Sequence, residues 1–113
     1  MSSIKQIGSA EFKEQALQAS GLVLVDFSAT WCGPCKRLVP ELEAVAQELG
    51  DKVTILKVDV DDSPDIASEY GVQSIPNMTF FKDGKVVDTV VGLLPKAAIV
   101  GRIKKHLTEA AVR

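Results

Sequence analysis

The sequence predicts an α/β protein: a central mixed β-sheet, parallel strands plus an antiparallel hairpin, with helices on both faces. Three observations carry that prediction. Residues 22–27 are an apolar run broken only by Asp26, and residues 52–60 hold Val53, Ile55, Leu56 and Val58, as expected of parallel strands covered on both sides. Between them Leu38, Leu42, Val45, Ala46 and Leu49 recur at helical spacing, which makes a strand-helix-strand unit with a right-handed crossover. Asp83-Gly84 then separates two β-rich segments at hairpin distance.

In chain order, residues 3–7 suit a short edge strand. Ser9 can cap a helix over 9–20, with Glu11 in its first turn, Phe12, Ala16 and Ala19 on one face, and Gly21 at its end. The strand at 22–27 should be central. The helix over 35–49 contains Pro40, which predicts a kink, and stops at Gly50. Ser63-Pro64 opens a short helix that closes at Gly71. Residues 78–81 and 85–91 form the hairpin strands. Pro95 opens a last helix with Ile99, Ile103 and Leu107 on its core face.

With 113 residues and neither repeat nor linker, the chain reads as a single domain over 1–113. A domain of that size buries roughly two thirds of the surface its unfolded chain exposes. Its 46% hydrophobic content fits a packed core, and 25% charged residues is not a disorder-like composition. A net charge of -2 without same-sign blocks gives no footprint for nucleic acid or a membrane surface. The first residues carry no apolar or Arg-rich targeting pattern, so the chain reads as cytoplasmic, or organellar where a targeting peptide has been removed.

Only two cysteines occur, both within Trp31-Cys32-Gly33-Pro34-Cys35. In a reducing compartment that favours a catalytic or metal role over a structural disulfide. The pair opens a helix at the carboxyl end of a strand, where unpaired N–H groups and the positive end of the helix dipole stabilise a thiolate. At this spacing the sulfurs can reach bonding distance, so that one attacks a partner's disulfide and the other displaces the mixed disulfide.

Trp-Cys-Gly-Pro-Cys-Lys after a Val-Asp-Phe strand, with Ser-Ile-Pro before a Phe-Phe-Lys-Asp-Gly hairpin, resembles the thioredoxin family over nearly the whole chain. The resemblance implies the thioredoxin fold and a protein-disulfide reductase without a bound cofactor or metal, its electrons stored in the two sulfurs. It makes Cys32 the exposed nucleophile and Cys35 the buried resolving thiol. Gly33 leaves the approach open and Pro34 fixes the geometry, and the Gly33-Pro34 pair tunes the redox properties. The implied partners are disulfide-containing client proteins and an external thioredoxin reductase, with the chain acting as a monomer.

Asp26 interrupts an apolar strand, which costs free energy unless the carboxyl is neutral or paired. The resemblance places it beneath Cys35 as the proton acceptor and donor for that thiol, with Lys57 as its charged neighbour; burial would raise its pKa and the lysine would oppose the rise. It also implies a cis bond at Ile75-Pro76 and an apolar docking surface of Trp31, Gly33, Pro34, Ile75, Pro76, Val91 and Gly92, on which an extended client pairs as an added strand. Asp61 would accept a hydrogen bond from the Trp31 indole.

The chain departs from the family at Ser28, where many members have a second Trp, and at Asn77, where Thr is frequent; both touch partner preference. Asp59, Asp61 and Asp62 have calcium-loop spacing, but Pro64 stands where that loop needs glycine and Tyr70 where it needs glutamate, so a polar strand end is expected. His106 is expected to be a cation suited to a basic helix end. Three other readings compete: an isomerase or oxidase, a thiolate metal site shared between two chains, and a non-catalytic docking subunit.

Overall fold

The computed structural model describes residues 4–112, with side chains as far as Leu107; Ser3 of the expected first strand lies outside this range. The elements are β1 (Lys5–Ile7), α1 (Ser9–Phe12) running into a π-helical turn (Lys13–Leu17), β2 (Leu22–Ser28), α2 (Gly33–Leu49), a 3₁₀ turn (Gly50–Lys52), β3 (Val53–Asp59), α3 (Pro64–Glu69), β4 (Asn77–Lys82), β5 (Lys85–Val91) and α4 (Lys96–Val112). The sheet order is β1-β3-β2-β4-β5, parallel across the first three and antiparallel at β4 and β5. This is the thioredoxin fold expected from the sequence.

β2 is central and buried at every position, because alternate side chains enter two separate cores. Leu22 and Leu24 pack with Leu38, Leu42, Ile99 and Ile103 of α2 and α4. Val23, Val25 and Phe27 pack with Phe12, Ala16 and Ile66 on the opposite face. By this alternation Asp26 belongs to the α2 side.

Several boundaries differ from expectation. Gly8, not Ser9, caps α1: its N–H donates to Glu11 Oε1 at 2.7 Å, while the Ser9 hydroxyl donates to Asp65 Oδ1 of α3 at 2.6 Å. The helix ends at Leu17, where the Leu17 carbonyl meets the hairpin turn: a Cβ at Gly84 would lie 2.9 Å from that oxygen. α2 starts two residues earlier than expected, and Pro40 lies inside it. Ser63 occupies the cap of α3, but its side chain makes no capping bond. Pro95 stands just before α4, and its carbonyl accepts from Ala98 and Ile99. Asp83 and Gly84 have φ of 52° and 82°, the left-handed pair that a two-residue hairpin turn requires.

His106, expected at a basic helix end, lies within α4, which runs on to Val112. It is buried, its ring 5.8 Å from that of Phe80 and its Nε2 2.9 Å from Asp88 Oδ2, because α4 lies on the hairpin strands and the i+3, i+7 face of Ile99 and Ile103 carries position 106 inward.

Candidate active site

Cys32 is the N-cap of α2. Its backbone is extended (φ -91°, ψ 113°), and its Sγ accepts the Cys35 N–H at 3.2 Å, filling the place an Asp or Ser oxygen usually takes. Gly33 and Pro34 fill the first two helical positions, where the donor that proline lacks has no intrahelical partner in any case. Cys35 follows with its Cα 5.3 Å from that of Cys32, and the two sulfurs are joined as a disulfide.

Both cysteines are buried, Cys32 at 5% exposure and Cys35 at 3%, so the expected contrast between an exposed and a buried sulfur is absent. The reason is packing: Ala29, Val60 and Ile75 close around the pair. Ala29 and Val60 were not singled out from the sequence; their nearness to the ends of β2 and β3, beside the motif, is the signal that marks them.

Trp31 is 69% exposed, and its indole N–H donates to Asp61 Oδ2 at 2.8 Å, as the resemblance implied. Asp61 is placed by Asp59, whose Oδ1 accepts from the Asp61 and Asp62 N–H groups at 2.8 and 3.3 Å. The acidic trio is thus the polar strand end expected, with Asp59 folding the turn. Among the described residues no cluster of three or more His, Cys, Asp or Glu could hold a metal ion.

The Ile75-Pro76 bond is cis. Ile75 packs against the disulfide, whereas Pro76 is buried, and its carbonyl accepts the Gly92 N–H at 2.8 Å. Val91, 57% exposed, stands opposite Asn77 in the ladder. Of the surface residues expected around the disulfide, Ile75 packs on it; Trp31 is tied to the Asp61 carboxylate, and the Arg37 guanidinium reaches to 3.8 Å from where a Cβ at Gly33 would stand. Asn77, at the family's frequent Thr position, is buried and accepts the Thr79 hydroxyl at 2.7 Å. Ser28, where many members have Trp, is buried with no protein partner for its hydroxyl.

Asp26 is fully buried, and neither carboxyl oxygen has a protein hydrogen bond. Lys57 is its register partner on β3. Burial pushes the Asp26 pKa up to about 7, and the positive charge of Lys57 moderates the rise. The carboxyl lines a cleft of about 190 Å³ with Ile4, Gln6, Val39 and Lys57. Gln6 and Val39 were not foreseen, although the period of β1, which sets Gln6 opposite Lys57, points to the first.

The thioredoxin family model matches residues 3–105. The chain is 46% identical over 107 residues to thioredoxin 1 of Synechococcus elongatus, covering 95% of this chain and all of the relative. It is 52% identical over 89 residues to thioredoxin of Bacillus subtilis (79% of this chain, 86% of the relative) and 48% over 96 residues to that of Rhodospirillum rubrum (85% and 92%). A CxxC pair closed at the head of α2, the fold around it and these matches together make the chain a member of the thioredoxin family, a thiol-disulfide oxidoreductase whose redox centre is its own Cys32–Cys35 disulfide.

Proposed function

We propose that the chain reduces disulfides in cytoplasmic client proteins, acting as a monomer, and is itself reduced by a separate thioredoxin reductase. The observation that carries this reading is the N-cap position of Cys32, where a helix amide already points at its sulfur. In the dithiol state that amide and the helix dipole favour the Cys32 thiolate.

A client docks on the largely apolar surface around Trp31, Ile75, Val91 and Gly92, its extended backbone pairing beside Ile75. The Cys32 thiolate attacks one client sulfur; a mixed disulfide forms and the other client sulfur leaves as a thiolate. Cys35 then loses its proton to Asp26, its sulfur bonds to Cys32 Sγ, and the second client thiolate departs. The client has gained two electrons, and the chain holds the disulfide. Lys57 keeps the Asp26 carboxylate within reach of neutral pH.

The test is a Cys35→Ser variant incubated with cell extract. Mixed disulfides on Cys32 should accumulate, because the displacing sulfur is gone. Recovering none, together with poor reduction of insulin disulfides by the wild type, overturns the reading.

A further inference from the structure

A docked client covers the surface through which the disulfide meets solvent, at the moment when Asp26 must dispose of the Cys35 proton. The fold supplies another way out. Gln6 stands opposite Lys57, and Lys57 opposite Asp26, so three polar side chains make one row across β1, β3 and β2. Inward from Asp26 the same row continues into Met78 and Val90, both buried and apolar. The polar half of the row is the floor of the cleft, Val39 of α2 lines it from above, and Gln6 at its outer end is exposed. A fully buried carboxylate with no protein hydrogen bond belongs to the residue at its inner end.

We infer that this cleft between β1 and α2 is the route by which Asp26 exchanges protons with solvent, with Gln6 at its mouth, Val39 over it and Lys57 as a positioning residue along it. The inference rests on the proton-transfer role proposed for Asp26. In the resolving step the Cys35 S–H proton passes to the Asp26 carboxylate. The Cys35 sulfur bonds to Cys32 Sγ, and the client sulfur leaves with the electron pair of the broken S–S bond. Asp26 returns to carboxylate by giving its proton to solvent in the cleft, while the departing client thiolate is protonated from outside. Chemistry at the front and proton release at the back are thereby separated.

The test is rescue by formate, a small carboxylate able to enter the cleft. In Asp26→Ala the release of the second client thiol, followed in a single turnover, should slow several-fold, and formate should restore much of the loss. Adding Val39→Phe, which fills the cleft, should abolish the formate response. Adding Gln6→Trp, an exposed strand position that accepts an aromatic residue and does not depend on repacking α2, should do the same. Rescue of equal size with the cleft filled or its mouth covered places the route past the disulfide and overturns the inference, as does the absence of rescue in Asp26→Ala itself. An Asp26→Ala variant that resolves at the wild-type rate would instead remove the Asp26 role on which the inference stands. Alkylation of Cys32 should proceed at the same rate in the double variants as in Asp26→Ala alone, which separates an effect on the second step from general damage to the fold.

Discussion

Replacing Asp26 with Ala should make the fold more stable at neutral and alkaline pH while slowing turnover. An ordinary aspartate titrates near 3.8, whereas burial carries Asp26 to about 7 against the pull of Lys57. At about 1.4 kcal/mol for each pH unit of that rise, holding the ionised carboxyl inside costs the fold about 4 kcal/mol. The sign follows from proton counts. Between about pH 4 and 7 the folded state binds a proton that the unfolded state has lost, so wild-type stability falls as pH rises through this window. The cost is complete above about pH 7 and absent below about pH 4.

The variant has no such term. Deleting the carboxyl also removes some packing atoms, but the group borders a cleft rather than the dry core, so a net gain of roughly 2–4 kcal/mol is expected at pH 8. That is a rise of roughly 10 °C in Tm for a chain of this length. Urea unfolding of the oxidised protein, repeated from pH 4 to 9, measures it. The variant's stability relative to wild type should rise by about 4 kcal/mol between pH 4 and 7 and reach a plateau above that. Parallel curves, or a variant that is less stable at pH 8, refute the argument that burial of a charge governs this position. Insulin reduction at the same pH should meanwhile slow several-fold.

Gly84→Ala should lower stability by about 1–3 kcal/mol, read from the urea midpoint, since its φ of 82° and the Leu17 carbonyl 2.9 Å from any Cβ both oppose a side chain. Asp88 accepts from Arg102 Nη1 at 2.8 Å on both oxygens and lies 2.9 Å from His106 Nε2; burial raises its pKa, but the bonds from His106 and Arg102 outweigh burial and hold it below the usual carboxylate range. That stabilisation is present above about pH 4 and lost as acid protonates the group, so Asp88→Asn should cost about 1–3 kcal/mol at pH 7 and progressively less in acid, by urea titration at each pH. Asp61→Ala frees the Trp31 indole, and the KM for a protein client should rise several-fold with the Cys32 alkylation rate unchanged, as steady-state kinetics and thiol labelling will show.

The elements legible in the sequence are those whose signals are local. β2 and β3 announce themselves by apolar runs, α2 by its period, and the hairpin by Asp83-Gly84, because burial on both faces and left-handed φ values each demand particular residue types. What escaped depends on distant partners. The Ser9 hydroxyl leaves the cap for Asp65, 56 positions away in sequence; α1 stops where a turn from the far end of the chain meets Leu17; His106 is drawn in by Asp88 and Phe80. Asp26 lies between these cases. A charge inside an apolar strand is visible in the sequence, but the cleft that lets it titrate needs Gln6 and Lys57 to fall in register, and register is a property of the assembled sheet.

Near-equal burial of the two sulfurs changes the argument for which of them attacks. Access cannot choose between 5% and 3% exposure, so in the proposed mechanism the choice falls to the field that each sulfur meets. Cys32, outside the helix proper, turns its Sγ to the amide of the third helical residue; Cys35 is that third residue and lends its N–H to the other sulfur. Cys35 instead lies on the buried stripe of α2 with Leu38 and Leu42, on the side of the sheet where Asp26 sits. In that mechanism an anion is welcome at the first position, and at the second only after Asp26 has taken a proton. The order of the two chemical steps thus follows from one residue lying before the first helical turn and the other within it.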